Sequence, residues 1–498
     1  MSSHFISRDD AESDLLAAAT FIGERIRTAD GQAESMSAVI PLYLLRGDVD
    51  LSAELANTVD DPFTRDKLIA SVAQKCVEID DNEYALQLVE AIEDDGMRLL
   101  ALERFGMSKA ASGDLELARE IASQMTQPDF VDAAIASAEA ENGTVDSAKA
   151  AVDSVDFSTA RVQAFQQIAA KWIEQKRADE AVLLLEASLE AADEIEHREE
   201  QVRAVCETGN LFITAERRDL AVKTFQKARD FASNIESTHK DFYLGSSALG
   251  LLQSGSNDLA EKALGEITDK TQFAGTLLAF ARHLSNTGQA DDALNDIEEA
   301  FEVLEGQQEK ETRDSRARNS IWTAIAVQFA GFGYADRGIE IAKKNIDDRE
   351  TAKAIGEIAQ ILATTGDLEK ARETALLQEE AYDQAETLVS VVDTLTLKGE
   401  TTKVAETLAE AEEITDTVPQ ISAKADLLIE IAKRRKDLGE AGIATATAEK
   451  AIASIVEIRD ESRRVTSLAN LSSAVTDIST LSESARNDLI HLIAAAEM

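Results

Sequence analysis

Apolar and small residues recur along this chain at fixed distances from a turn residue, called the landmark below. Large apolar residues stand eleven and four positions before the landmark, and small residues stand seven before it and five after it. Positions eleven, eight, seven and four before the landmark share one side of a helix with 3.6 residues per turn. A further apolar position nine residues after the landmark belongs to a second helix. The pattern therefore predicts pairs of amphipathic helices, each pair joined by a short turn.

The landmark occurs thirteen times. Nine landmarks are glycines, namely Gly47, Gly113, Gly143, Gly255, Gly288, Gly333, Gly366, Gly399 and Gly439, and the other four are Asp80, Lys176, Glu216 and Thr480. Six of the twelve intervals between them are 33 residues long, and the others range from 30 to 45. A glycine at this position permits the positive φ that closes the first helix. A fixed period of this length predicts a stacked repeat array.

The residue order around the landmark resembles that of the tetratricopeptide repeat family over essentially the whole chain. That family shows a bulky residue, a small residue, a large residue, the junction glycine and a second small residue. Trp322, Ala326, Phe329, Gly333 and Gly338 reproduce this order. The resemblance implies an all-α fold, a right-handed superhelical solenoid of about 13 helix–turn–helix repeats. The period of 33 is one residue shorter than that of the family, and the proline that ends most units of the family is nearly absent here. Related helical solenoids therefore stay as alternatives.

The two ends of the chain depart from the repeat. We predict an N-terminal capping helix within residues 1–30, a repeat solenoid over 31–478 and a C-terminal capping helix over 479–498. Residues 9–28 are expected to form one amphipathic helix that covers the first unit. The last helix, near 482–497, carries an apolar face whose exposure would favour self-association through the terminal repeats. The polar segment 306–318 is expected to form a protruding hairpin tip.

The charge of the chain is strongly negative. It carries 94 acidic against 50 basic residues, a formal net charge of −44. Nucleic-acid binding depends on Lys and Arg displacing counterions, so a nucleic-acid partner is not expected. Anionic membrane surfaces are disfavoured for the same reason. Self-repulsion of this size is relieved at high salt, which favours a halophilic source over an ordinary acidic solenoid.

Signals for secretion, membrane insertion and catalysis are missing from the sequence. The start of the chain has no apolar signal core, no run of 18 apolar residues occurs, and the two cysteines have no CxxC neighbour. We therefore expect a cytoplasmic protein without membrane insertion. The five histidines are scattered and no nucleotide-binding or nucleophile motif occurs, so we expect no cofactor, no metal and no enzyme activity.

One acidic motif requires a separate interpretation. Asp291, Asp292 and Asp296 are similar to the magnesium-binding motifs of helical terpenoid enzymes, with one residue too many before the third aspartate. Acidic residues are also favoured in the first turn of a helix. We interpret the motif as a helix start, and an α/α enzyme with an acidic pocket remains the less favoured alternative.

The family resemblance implies a non-catalytic scaffold or adaptor that binds another protein or a peptide on a concave face. The alternative is a ligand-sensing regulatory domain that acts on a separate effector. Positions thirteen and six before the landmark face away from the core of the first helix, and the candidate protein-binding residues at these positions are Leu100, Met107, Phe130, Arg203, Asn210, Phe242, Leu249 and Arg282. The three early apolar residues have an equally good interpretation as packing between neighbouring turns of the array.

Overall fold

The computed structural model describes residues 4–306, 315–475 and 477–497. These ranges contain α-helices and one short 3₁₀ helix at Ile478–Thr480, and they contain no β-strand. The α-helices are α1 (Arg8–Ala11), α2 (Leu15–Gly23), α3 (Ala29–Arg46), α4 (Val49–Asn57), α5 (Pro62–Glu78), α6 (Asn82–Glu90), α7 (Asp95–Ser112), α8 (Leu115–Gln124), α9 (Asp129–Ala140), α10 (Val145–Val152), α11 (Ser158–Glu174), α12 (Ala178–Ala192), α13 (Arg198–Thr214), α14 (Arg218–Ser233), α15 (Lys240–Gln253), α16 (Asn257–Leu264), α17 (Lys270–Asn286), α18 (Ala290–Glu305), α19 (Ser315–Gly331), α20 (Ala335–Asn345), α21 (Asp348–Thr365), α22 (Leu368–Ala375), α23 (Ala381–Leu397), α24 (Thr401–Thr415), α25 (Ile421–Asp437), α26 (Ala441–Glu457), α27 (Glu461–Leu471) and α28 (Glu483–Ala496). The all-α prediction is confirmed.

At eleven of the thirteen landmarks, all except Gly143 and Thr480, left-handed backbone ends the first helix of a pair. Eight of the nine landmark glycines have φ between 73° and 99°. The landmarks Asp80, Lys176 and Glu216 adopt the same conformation without glycine, at φ of 62°, 64° and 59°. Asp114 and Asp367, which directly follow landmark glycines, cap the second helix, since their carboxylates accept hydrogen bonds from the backbone N–H groups of Leu117 and Lys370. Asp48 follows Gly47 without such a bond. The helix-pair turns predicted from the spacing are therefore present.

Small residues allow the helices to approach one another closely, as the spacing predicts. The ring of Phe225 on α14 lies between two glycines, Gly209 on α13 and Gly250 on α15. A Cβ atom at Gly250 would stand 2.2 Å from this ring, and one at Gly209 would stand 2.7 Å from it. The side chains of Trp172 and Trp322 are fully buried. Both tryptophans thus belong to the core of their helix pairs, as their positions in the repeat predict.

The described chain divides into two compact units. Unit 1 comprises residues up to Ala101 together with residues from Asp348 onward, and unit 2 comprises Leu102–Asp347. Within unit 1, helices from the beginning and the end of the chain pack together: α2 and α3 both lie against α27, and α2 also contacts α28. The hydroxyl of Ser462 donates to the carboxylate of Glu34 at 2.7 Å across this contact. Within unit 1, α27 therefore packs against α2 and α3, and α28 packs against α2.

The apolar side of the last helix is covered by the chain's own N-terminal segment. Ile493 on α28 is buried in one cluster with Ile6, Ala18 and Phe21. The carboxylate of Glu497 pairs with the guanidinium of Arg8 at 2.9 Å. The exposed apolar face expected for α28 is therefore not observed, because α28 packs on α2.

The N-terminal segment is broken where one continuous helix was expected, so the prediction over residues 9–28 is wrong. Helix α1 ends at Ala11 and α2 begins at Leu15. The carboxylate of Asp14 accepts a hydrogen bond from the backbone N–H of Ala17 and caps α2. All nine residues of α2 are buried. A helix buried on every side has no polar face, and the amphipathic pattern over 9–28 arises from two helices with different surroundings.

The expected hairpin tip at 306–318 lies largely outside the described residues. Helix α18 ends at Glu305 and α19 begins at Ser315. In the ranges that the structure describes, no helix combines the length and the hydropathy needed to cross a membrane.

Candidate functional site

Unit 2 contains a cleft between α16 and α18, with a volume of about 540 Å³. Helices α15 and α17 supply five of its apolar side chains, Leu252, Phe273, Leu277, Phe280 and Leu284, and α16 adds Leu264. Four of these five side chains are buried in the fold, and Phe273 is half-buried. The volume falls in the range of small-molecule and side-chain binding pockets, roughly 300–1,000 Å³.

The polar side of the cleft is acidic. Asp292, Asp296 and Glu299 of α18 are spaced four and three residues apart, which places them on the same face of the helix. Glu261 of α16 joins them across the cleft. None of the described lining residues is a lysine, arginine or histidine. The cleft therefore combines an apolar base with four carboxylates.

Two other carboxylates of α18 form ion pairs with basic side chains. Glu298 is paired with Arg337 of α20, and Glu305 is paired with Lys344 of α20 at 3.0 Å. Within the described ranges, no ion pair neutralises any of the four cleft carboxylates. Like charges three or four residues apart on a helix are mutually destabilising. The fold thus holds an uncompensated negative charge at this point.

Asp296 is the carboxylate most affected by this environment. Its Oδ2 atom is buried and has no hydrogen-bond partner among the described residues. Burial, followed by the charges of Glu299, Asp292 and Glu261, raises the pKa of Asp296 from 3.8 to about 7. A proton or an external cation is therefore needed to relieve the charge on this carboxylate near neutral pH.

Buried aspartates elsewhere in the chain have a structural role that Asp296 lacks. The carboxylate of Asp66 accepts hydrogen bonds from the backbone N–H groups of Glu93 and Asp94, at 3.0 and 2.8 Å. Asp241 accepts in the same way from Thr268 and Asp269, at 3.0 and 2.7 Å. Both of these aspartates fix the loop that enters the next helix pair. Packing and turn formation therefore explain Asp66 and Asp241 but leave Asp296 unexplained.

The cleft carboxylates fit an organic cation. Among the described residues, no group of three or more His, Cys, Asp or Glu side chains is arranged to hold a metal ion. An ammonium or guanidinium group would form charge-assisted hydrogen bonds with carboxylates. The apolar base would bury the hydrocarbon part of such a ligand. The geometry thus favours a ligand with a cationic head and an apolar body.

The interpretation of the acidic motif as a helix start is correct for two of its three members. Asp291 and Asp292 lie in the first turn of α18. Asp296 lies one turn later and lines the cleft, so its assignment to the helix start is wrong. The sequence pattern did not identify Glu261 and Glu299 as residues of this cleft. The spacing of 292, 296 and 299 on one helical face was a visible signal, whereas the proximity of Glu261 depends on how α16 packs beside α18.

The candidate protein-binding residues predicted from the sequence lie outside this cleft. Five of the eight are exposed, namely Leu100, Arg203, Asn210, Phe242 and Arg282, and the half-exposed ones are Met107, Phe130 and Leu249. Leu100 belongs to unit 1, while Met107 and Phe130 belong to unit 2. The ring of Phe130 meets that of Phe157 edge-on at 6.0 Å.

Phe242 is the most exposed aromatic residue among these candidates. It is 54% exposed and contacts Tyr243 edge-on, with ring centroids 5.3 Å apart. Leu249 stands two helical turns further along the same helix, α15. These two residues remain candidates for a contact with a partner protein.

Helices in sequential pairs, closed by left-handed turns at a recurring spacing, define the fold. The chain is an array of helix pairs that resembles tetratricopeptide repeats. No family model and no curated protein matches it. Solved structures to which the chain is similar include Ton1535 from Thermococcus onnurineus NA1, at 14% identity over 72% of this chain and 99% of that one, with a TM-score of 0.26. Naa15/Naa10 bound to HypK-THB matches at 13% identity over 99% of this chain and 84% of that one, with a TM-score of 0.33. The signal transduction ATPase PH0952 from Pyrococcus horikoshii, with a tetratricopeptide repeat sensor, matches at 14% identity over 73% of this chain and 52% of that one, with a TM-score of 0.26. Likenesses of this size carry no information about a partner or an activity.

Proposed function

We propose that this protein is a non-catalytic scaffold that binds another protein, and that the acidic cleft of unit 2 receives a basic side chain of that partner. The single observation that carries the proposal is the unneutralised Asp296 in an apolar cleft with three further carboxylates. A partner segment with Lys or Arg beside Leu or Phe matches both the charge and the apolar base.

Binding of such a segment compensates a cost that the free protein carries. The buried Oδ2 of Asp296 lacks a partner in the described chain, and burying an unpaired polar group costs about 1–3 kcal/mol. A guanidinium group placed in the cleft satisfies this oxygen and reduces the repulsion between Asp292, Asp296 and Glu299. The exposed carboxylates at the rim also attract a basic segment before contact.

The exposed first-helix residues would extend the same interface. Phe242 and Leu249 of α15 lie on a helix that also contributes Leu252 to the cleft. We propose that they bind a different part of the same partner. Three further candidates on first helices, Arg203, Asn210 and Arg282, belong to this proposed surface as well.

The experiment is a binding titration with short fluorescent peptides, carried out on the full chain at constant salt. The test peptides carry one Arg or Lys flanked by Leu and Phe, and the comparison peptides carry Gln in place of the basic residue. We expect the basic peptides to bind and the Gln peptides to bind at least tenfold more weakly, a difference of about 1.4 kcal/mol.

Matched variants locate the site. Glu261→Gln combined with Glu299→Gln removes two cleft charges, and we expect it to weaken binding of the basic peptide at least tenfold. Asp291→Asn removes one charge from the same helix without altering the cleft lining, and its affinity should equal that of the parent. Equal affinity for the parent and the double variant would contradict the proposal.

A small organic cation is the second candidate ligand, because the cleft volume of about 540 Å³ also suits a small molecule. This would make the protein a ligand-sensing regulatory domain. Titration with spermidine and with a butylammonium salt separates the two functions. Tight saturation by either amine, together with failure of every peptide to bind, would favour the sensor.

A further inference from the structure

Helix α18 carries acidic residues on two sides, and the side facing α20 shows how this fold binds a guanidinium group. The guanidinium of Arg337 on α20 donates to both carboxylate oxygens of Glu298, to one of them at 2.7 Å. The same guanidinium lies over the ring of Phe329, 4.0 Å from its centroid. Arg337 therefore combines a two-point ion pair with a contact on an aromatic ring, a combination to which the planar guanidinium is suited.

The side facing α16 has the corresponding positions without the arginine. Arg337 stands four residues after its landmark, and Glu298 stands ten residues after the landmark of the preceding pair. One pair earlier along the chain, these two positions are held by Asp292 and Gly265. Both of these residues line the acidic cleft. Where the junction of α18 and α20 has an arginine paired with a glutamate, the junction of α16 and α18 therefore has the cleft.

This cleft offers space and acceptors for a guanidinium group. A Cβ atom at Gly265 would meet only backbone oxygens of its own helix within 4 Å, at 3.5 and 3.6 Å. Asn257 and Glu261 line the cleft from α16. Asn295 and Asp296 line it from α18, and the buried Oδ2 of Asp296 meets no donor among the described residues. Amides and carboxylates both supply acceptor oxygens, so acceptors are present on two walls.

The shape of the donor group distinguishes arginine from lysine at such a site. A guanidinium carries five N–H donors in one plane, whereas the three donors of an ammonium diverge from a single atom. A planar group with donors on two edges reaches acceptors on both walls at once. The guanidinium is also more weakly hydrated and stacks on aromatic rings. The base of the cleft provides such a ring, because Phe273 of α17 lines the cleft and is half-buried.

We propose that the cleft binds arginine in preference to lysine, and that the bound guanidinium makes the contacts that Arg337 makes at the next junction. This inference rests on the proposed function, because it names the side chain of the partner that the cleft receives. The arginine pairs with carboxylates of α18 and lies on the ring of Phe273. The partner thereby supplies the arginine that the chain lacks between these two helix pairs.

The test compares four fluorescent peptides that differ only at a central residue flanked by Leu and Phe. The central residue is Arg, Lys, Nω,Nω-dimethylarginine or Gln, and dimethylation keeps the positive charge while it blocks two-point hydrogen bonding. With the full chain at constant salt, we expect the Arg peptide to bind at least tenfold more tightly than the Lys and dimethylarginine peptides. Equal affinity for Arg and Lys, both above Gln, would overturn the preference for arginine and leave the proposed function standing. Equal affinity for all four peptides would overturn both.

An arginine of the chain itself provides a second test. Asp292→Arg places a guanidinium at the position that corresponds to Arg337, and it should weaken binding of the Arg peptide at least tenfold by occupying the cleft carboxylates. Asp291→Arg is the matched control, because it makes the same change of charge in the first turn of α18 and Asp291 does not line the cleft. Equal binding of the Arg peptide by the parent and by folded Asp292→Arg would overturn the proposal. The peptide comparison uses the parent chain, so it decides the question even if Asp292→Arg fails to fold.

Discussion

Lys176 occupies a backbone conformation that glycine adopts at lower cost. Its φ is 64°, whereas glycines at most equivalent landmarks stand near 85°. The left-handed conformation costs a residue with a Cβ atom about 1–2 kcal/mol. The Lys176 side chain is exposed, and the turn is held by backbone bonds that glycine keeps, from Lys176 N–H to the Ile173 carbonyl at 2.9 Å and from Arg177 N–H to the Trp172 carbonyl at 2.7 Å.

Lys176→Gly should therefore increase the free energy of unfolding of this helix pair by about 0.5–1 kcal/mol. The relief of strain is partly offset by the greater freedom of glycine in the unfolded chain, about 0.5–1 kcal/mol. Glu216, at φ of 59°, is also exposed, and Glu216→Gly should have the same effect.

The assay is urea unfolding followed by the fluorescence of Trp172, in a chain in which Trp322 is replaced by Phe. A local probe is needed because helical arrays unfold in parts. Trp172 lies in α11, which ends just before Lys176, and the Arg177 guanidinium lies 4.0 Å from the centroid of its ring. Measurements at ~1 M KCl screen the loss of the lysine charge.

Lys176→Ala separates backbone strain from charge, because alanine keeps the Cβ atom. Its stability should stay within about 0.5 kcal/mol of the parent. In the reciprocal experiment, Gly333→Ala introduces a Cβ atom at φ of 89° with no other atom within 4 Å. It should lower stability by about 1 kcal/mol, read from Trp322 in a Trp172→Phe chain. Equal stabilisation by Lys176→Ala and Lys176→Gly would refute the reasoning from strain.

Three further outcomes follow from the charge and the packing. The melting temperature should rise strongly between 0.1 and 1 M KCl as the Debye length falls from about 10 to about 3 Å, and a flat profile would count against the halophile hypothesis. Between pH 3.8 and about 7, folded Asp296 keeps a proton that the unfolded chain releases, so the free energy of unfolding falls as pH rises. Asp296→Asn should remove this pH dependence. Asp291→Asn is its control in a pH series of urea titrations, and retention of the full pH slope by Asp296→Asn would contradict the assignment. Gly250→Ala should cost about 1–3 kcal/mol by crowding the ring of Phe225, measured by thermal unfolding, and a neutral result would mean that α15 shifts freely.

Local features of the fold were predictable because they depend on short-range spacing. The positions of Lys176 and Glu216 in the repeat predicted turns without glycine, and the same alignment placed Trp172 in the core. The break between α1 and α2 was missed because α2 is buried on all sides. The packing of α2 on α27 joins residues more than 400 positions apart, which no repeat period specifies.

The acidic cleft was only partly visible in the sequence. The carboxylates of Asp292, Asp296 and Glu299 share a helical face, a property that spacing alone reveals. Their function could not be inferred from spacing, because it depends on the apolar side chains of α17 beneath them and on Glu261 beside them. The raised pKa of Asp296 results from this three-dimensional arrangement.

Proton release on peptide binding tests the proposed role of the cleft most directly. With its pKa at about 7, Asp296 is about half protonated at pH 7, so a cationic side chain that ionises it should expel about 0.5 proton per peptide. Calorimetry of the basic peptide in buffers of different ionisation enthalpy measures this number. We predict release of this size from the parent and from Asp291→Asn, and none from Asp296→Asn. Binding without proton release, or equal release from Asp296→Asn, would contradict the proposal that the cleft receives a basic side chain.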